Sequence, residues 1–216
     1  MIYICTNINN IEFKEVSFSY DKQREVLKKF SLYAKRDNVV VISGENGIGK
    51  TTAMNLLLGI WNEYKGNIFI DGTDIRELCR ENLLDKISFC FQKSVIFNDS
   101  IKNNIFLDGE YNEELLNILC ERMKLKDLIE ELDKGIDSNI NETEKLSGGQ
   151  FQKIGIIRTL ITEKPIIIFD EPTSSLDSDS CKEFMKLILD YKKDRIIFLI
   201  THDKDMLEIA DYVYEF

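Results

Sequence analysis

The stretch Gly44-Glu45-Asn46-Gly47-Ile48-Gly49-Lys50-Thr51-Thr52 follows directly on the apolar run Val39-Val40-Val41-Ile42, and it constrains the fold more than any other segment. It has the form G-x-x-x-x-G-K-[ST]. Glycines at both ends let the backbone curl until successive N–H groups point at one spot, and a helix opening at Gly49 adds the positive end of its dipole. The pattern predicts a strand, a phosphate cradle and a helix in that order, the helix continuing through Ala53, Met54, Leu56, Leu57 and Leu58. In such a cradle Lys50 reaches the outer phosphates of a nucleotide and the Thr51 hydroxyl holds Mg²⁺. A glycine turn before a structural helix is the plainer alternative, and the strand and apolar helix on either side favour the nucleotide.

A second segment, Leu146-Ser147-Gly148-Gly149-Gln150, stands before Phe151, Ile154, Ile157, Leu160 and Ile161 at helical spacing. A serine hydroxyl and glycine N–H groups at a helix start form another anion site, although the same residues serve as an ordinary cap. One chain thus carries two phosphate-seeking surfaces.

Continuous apolar runs at Ile166-Ile167-Ile168-Phe169 and Ile196-Ile197-Phe198-Leu199-Ile200 suit strands buried on both faces of a parallel sheet. Ile11-Glu12-Phe13 and Val16-Ser17-Phe18-Ser19-Tyr20 alternate as half-buried strands do, and Asn67 to Ile70 followed by Asp71-Gly72 reads as a strand entering a turn. A further strand is expected from Ile87 to Phe91. Leu115, Leu116, Leu119 and Met123, then Leu125, Leu128, Ile129 and Leu132, predict helices, so residues 93 to about 158 read as a mostly helical insert. The fold class is α/β: one domain over 1–216, its core starting at about residue 11. A chain of 216 residues fits one substantial core better than two. Trp61 and Tyr64 read as packing residues after the first helix.

Asp170 and Glu171 end the run from Ile166, at the carboxyl end of a buried strand, where open α/β sheets place ligands. Asp170 suits Mg²⁺ coordination and Glu171 suits polarising an attacking water; a solvated acidic turn is the alternative. Lys and Arg total 28 against 38 Asp and Glu, a net charge of −10, which disfavours a nucleic-acid partner. Cys5, Cys79, Cys90, Cys120 and Cys181 form no C-x-x-C pair, which argues for a reducing, cytosolic setting and against zinc or a disulfide scaffold. No apolar run approaches a membrane span and no secretory signal opens the chain.

These motifs, in this order from Ile11 to about Tyr214, resemble the ATP-binding cassette (ABC) ATPases. The resemblance implies a P-loop NTPase (RecA-like) core with an amino-terminal antiparallel β subdomain and a helical insert. It implies ATP and Mg²⁺ as ligands. Gln92 falls at the family's Q-loop, which senses γ-phosphate and Mg²⁺; His202, the only histidine, falls at the H-loop, which contacts γ-phosphate and helps hold the attacking water. Tyr20 falls at the A-loop, where an aromatic face stacks on adenine. Asp170-Glu171-Pro172-Thr173 continues into Ser174-Ser175-Leu176-Asp177, and Asp177 takes the place of the D-loop aspartate at the dimer interface. Ser147, Gly148, Gly149 and Gln150 of one subunit would close over ATP held by the other.

The resemblance further implies two partners, a second nucleotide-binding domain and a transmembrane domain, and so a place on the cytoplasmic face of a membrane. The segment from Phe91 to Ile101 with Asn104-Ile105 looks like that of exporters, whose membrane spans precede the ATPase on one polypeptide. Asn141-Glu142-Thr143-Glu144-Lys145 lacks the exporters' usual glycine before the signature, and Thr201-His202-Asp203 and the Pro172 segment read more like importer or stand-alone cassettes. An excised exporter domain is the first expectation and a separate ATPase subunit the second. DNA-maintenance ABC ATPases split the two motifs with a coiled coil, whereas roughly a hundred residues without sustained heptads separate them here. Ribosome-associated relatives join two cassettes, and this chain has one motif set. An ATP-binding regulator without turnover fits poorly with Glu171, His202, Gln92 and an intact signature.

Overall fold

Runs that are apolar at every position become the middle of a parallel sheet in the computed structural model, which describes residues 7–21, 24–107, 109, 111–140 and 146–216. In chain order the elements are β1 (Asn10–Ser19), β2 (Glu25–Lys35), β3 (Asn38–Ser43), α1 (Lys50–Leu57), β4 (Lys65–Ile70), β5 (Thr73–Asp74), α2 (Arg80–Leu84) and β6 (Ile87–Cys90). They continue with α3 (Ile101–Phe106), α4 (Glu113–Arg122), α5 (Lys126–Glu130), α6 (Gly148–Ile161), β7 (Ile166–Asp170), α7 (Ser178–Tyr191), β8 (Ile196–Ile200), α8 (Lys204–Leu207) and β9 (Tyr212–Glu215).

The five-stranded sheet has the order β6-β7-β8-β3-β9, all parallel. Alternate residues of its central strands serve two cores, as the two-residue strand period demands. Val40, Ile42, Ile166, Ile168, Ile196, Phe198 and Ile200 pack with α1 and the antiparallel sheet β2-β1-β4-β5. Val39, Val41, Ile167, Phe169, Ile197 and Leu199 pack with α3, α4, α6 and α7. Burial on both faces makes this sheet a rigid support whose carboxyl edge is free for chemistry.

The amino-terminal region differs from the expectation of two short strands. Residues 10–19 form the single strand β1, interrupted by a bulge: Phe13 pairs with Leu32 and Val16 with Phe30, leaving one extra residue on β1. Glu15 sits there at φ 46° and donates its N–H to the Ser31 hydroxyl at 2.9 Å. The extra residue shifts the phase of alternation, so one strand reads as two. β6 stops at Cys90, leaving Phe91 half-exposed. The apolar run from Leu125 forms only the five-residue α5, and α6 extends to Ile161, beyond 158. Of the two packing residues expected after the first helix, Tyr64 is buried, and Trp61, 44% exposed, packs against Phe18 and Tyr20.

Among the described residues Cys79, Cys90, Cys120 and Cys181 are free thiols, and no helix is long and apolar enough to cross a membrane. Cys5 and residues 141–145 lie outside the described residues.

Candidate active site

β7, β8 and β3 are neighbours, so the loops leaving their carboxyl ends meet. Asp170 and Ile42 both pair with Ile200, and past the ladder the Glu171 N–H donates to the Ile200 carbonyl at 2.8 Å and the Thr201 N–H to the Ile42 carbonyl at 3.2 Å. Topology therefore brings the glycine loop after β3, the acidic pair ending β7 and the histidine after β8 to one sheet edge.

The glycine loop adopts left-handed backbone at Gly44 (φ 142°), Gly47 (φ 77°) and Gly49 (φ 123°). At Gly49 a Cβ would also meet Val26 and Leu27 at 3.0 Å, so position 49 is closed to other residues on two counts. α1 begins at Lys50, whose ammonium donates to the carbonyls of Gly44 (2.7 Å) and Glu45 (3.0 Å). The lysine thus spans the loop it would share with phosphate. The Thr51 hydroxyl donates to Asp170 Oδ2 at 2.7 Å. Burial pushes the Asp170 carboxyl up, against the Thr51 hydrogen bond, and the neighbouring Glu171 adds to the rise while Lys50 opposes it. A buried carboxylate touching a hydroxyl is an oxygen donor pair short of positive charge, which fits Mg²⁺.

Glu171 is 5% exposed and held at φ 47°, a strained conformation for a residue with a Cβ. Its Oε1 lies 3.0 Å from His202 Nδ1. Asp203 links the two loops, accepting from the Thr173 hydroxyl at 3.3 Å.

A cavity of about 490 Å³ is lined by Tyr20, Val26, Asn46, Gly47, Gly49, Lys50, Thr51, Thr52, Gln92, Asp170 and Glu171. The sequence reading anticipated ten of these eleven in the site and missed Val26, whose strand β2 was not expected. Phe30-Ser31-Leu32-Tyr33-Ala34-Lys35 does alternate, but Lys28-Lys29 breaks the period before it. Gly44 and Glu45 contribute carbonyls to Lys50, and Ile48 faces a neighbouring groove with Val26 and Phe30. Tyr20 remains 55% exposed, its hydroxyl 2.9 Å from Thr52 Oγ1.

The second motif and Asp177 stand apart from that cavity. Ser147 and Gln150 form a capping box on α6, the Ser147 N–H donating to Gln150 Oε1 at 2.5 Å and the Gln150 N–H to Ser147 Oγ at 3.4 Å. A Cβ on Gly149 would lie 2.7 Å from the Ser175 carbonyl oxygen, so a glycine lets the signature approach the loop after β7. Asp177 caps α7, accepting from the Ser180 N–H and hydroxyl at 2.8 Å each. Those bonds hold its carboxyl at about 2, and the Lys153 ammonium is 3.7 Å away.

Fold and site define an α/β P-loop nucleotide-binding domain with a signature segment at the head of a second helix. The chain belongs to the ABC transporter family, whose profile matches residues 27–174. It is 36% identical over 208 residues to an ATP-dependent lipid A-core flippase of Photorhabdus laumondii, a match covering 94% of this chain and 36% of that protein. A flippase of the same description from Desulfotalea psychrophila is 38% identical over 206 residues, with 94% and 36% covered. The glutathione/L-cysteine transport system ATP-binding/permease protein CydD of Bacillus subtilis is 34% identical over 205 residues, again with 94% and 36% covered. The chain spans little more than a third of these curated relatives. The solved structure of a bacterial Atm1-family ABC exporter with ATP bound superposes with a TM-score of 0.91 at 29% identity, covering 99% of this chain and 38% of that one. The subtype is therefore an exporter-like ABC nucleotide-binding domain.

Proposed function

We propose that the chain binds and hydrolyses ATP in a dimer of cassettes and so powers export through a transmembrane domain at the cytoplasmic face of a membrane. The observation that carries this reading is the convergence of Lys50, Thr51, Asp170, Glu171 and His202 at one sheet edge, with Glu171 buried, strained and paired to the histidine. The loop N–H groups from Gly44 to Thr52 receive the phosphates, and Lys50 turns from its carbonyls to the outer ones. Tyr20 offers its ring to the adenine. Thr51, Asp170 and Gln92 would hold Mg²⁺, which neutralises charge on the phosphates. Glu171 takes the proton of the attacking water, and His202, whose Nδ1 lies 3.0 Å from Glu171 Oε1, stands beside it to contact the γ-phosphate. Ser147, Gly148, Gly149 and Gln150 of the second cassette complete each site, with Asp177 at the interface. Closure excludes water, and positioning plus fixed dipoles supply most of the acceleration. The helical segment from 93 to about 158, with the loop at Gln92, transmits the change to the membrane partner.

Light scattering of Glu171→Gln with and without ATP–Mg²⁺, beside the wild-type rate against protein concentration, tests this. Doubling of mass on ATP, loss of turnover by about 10²-fold or more, and a wild-type rate per molecule that climbs with concentration are expected. Wild-type turnover in Glu171→Gln would remove Glu171 as the base, and a monomer with a flat rate would remove self-pairing.

A further inference from the structure

Tyr20 and Trp61 are both large, both about half-exposed, and pressed edge to face, with ring centroids 5.7 Å apart and planes at 82°. Phe18 meets Tyr20 the same way from β1, at 4.9 Å and 85°. The Tyr20 hydroxyl is tied to Thr52 on α1 at 2.9 Å. Three contacts from three parts of the chain thus fix both torsions of the Tyr20 side chain, while the ring keeps 55% of its surface open. Trp61 comes from the irregular stretch between α1 and β4, and it lines a groove of about 950 Å³ with Phe18, Tyr20, Ile60 and Tyr64. It does not line the cavity that contains the phosphate loop.

On the reading of Tyr20 as the adenine platform, we propose that Trp61 is a positioning residue for nucleotide binding: its edge-to-face contact holds the Tyr20 ring in the orientation that stacks on the base. A ring restrained before the ligand arrives loses less conformational freedom on stacking, and that saving appears directly in affinity. Edge-to-face pairs oppose the positive edge of one ring to the negative face of the other, so an aliphatic side chain of similar bulk is no substitute. Because Trp61 touches the platform and not the cradle, its effect is confined to ligands that carry a base.

Calorimetric Kd values for ATP and for inorganic tripolyphosphate, measured without Mg²⁺ on the 216-residue chain, decide the matter. Trp61→Ala and Trp61→Leu are expected to weaken ATP about 2- to 10-fold and leave tripolyphosphate unchanged, with Trp61→Phe restoring most of the affinity. Adding Trp61→Ala to Tyr20→Ala should give no further loss. If Tyr20→Ala weakens ATP but Trp61→Leu does not, the positioning role is overturned and the platform stands. If neither change affects ATP, the platform reading fails and takes the inference with it. Equal weakening of ATP and tripolyphosphate by Trp61→Leu would mark a general structural role and overturn the proposal.

Discussion

At Glu171 the side chain that suits catalysis sits on a backbone that suits glycine. A φ of 47° with a carboxylate 5% exposed combines strain with desolvation, and both persist because Ile200 and His202 hold the residue from outside. Such positions store about 1–3 kcal/mol. Glu171→Gly is therefore expected to match or exceed the wild type in stability, by roughly 1 kcal/mol, while losing turnover; Glu171→Ala keeps the Cβ and gains less. Chemical denaturation of the two variants checks this, and a Glu171→Gly protein clearly weaker than Glu171→Ala would show that the backbone is not strained. Asp74 gives a residue-scale dependence on pH. Burial alone would push its carboxyl up, but hydrogen bonds from Arg76 and Asn67 outweigh that and hold it at about 2, below the ordinary 3.8. A depressed carboxyl contributes stability that is complete above the unfolded value and is lost as pH falls through about 2. Allowing for the part-exposed Arg76, wild type should lose about 1–2 kcal/mol more than Asp74→Asn between roughly pH 5 and pH 2. Parallel urea titrations with equal losses would mean the pair contributes nothing.

At the scale of elements, α6 is a bar with the signature at one end and the segment after Gln92 clamped to its side. Arg158 donates to the carbonyls of Asn104 (2.5 Å) and Val95 (2.7 Å), and Lys153 reaches Asp177. Ser94 approaches Gln152 Oε1 at 3.5 Å, and a Cβ on Gly155 would overlap the Ser94 hydroxyl and lie 2.9 Å from its Cβ. Glycine inside a helix forgoes about 1 kcal/mol relative to alanine, so here close approach outweighs propensity. Gly155→Ala is expected to destabilise by about 1 kcal/mol, the clash exceeding the helix gain, and adding Ser94→Gly should reverse the sign. Two Gly155→Ala proteins of equal stability, with and without Ser94→Gly, would exclude the contact. The sequence showed β3, β7 and β8 because strands buried on both faces are apolar at every position, and the cradle because its glycines are bound to one geometry. It hid β2 behind Lys28-Lys29 and split β1 at Glu15, since a bulge changes the phase of a period-two pattern. The partner of Trp61 is hidden for a different reason: its meeting with Tyr20 joins segments far apart in the chain, which no local period reports.

For the whole molecule, the separation of the signature from the cavity is the fact to explain. None of Ser147, Gly148, Gly149 and Gln150 lines the space around Lys50, Asp170 and Glu171, yet one chain carries both sets. Two copies related by a two-fold axis would satisfy each other, an isologous arrangement that gives two identical composite sites. Lys50→Ala disables the cradle and Ser147→Glu sets a like charge against the phosphates, so each variant by itself should be inactive. Mixed in equal amounts, half of random pairs are hybrid, and each hybrid retains one intact site of two; the mixture should recover up to about a quarter of the wild-type rate. Each chain carries a net charge of −10, so two copies repel at long range, and salt shortens that range to about 8 Å at physiological strength. The recovered rate should thus climb with ionic strength from roughly 10 mM to 150 mM before screening of the ATP contacts reverses it. A mixture that stays inactive at concentrations where the wild type turns over would show that the two motif sets do not meet across copies of this chain.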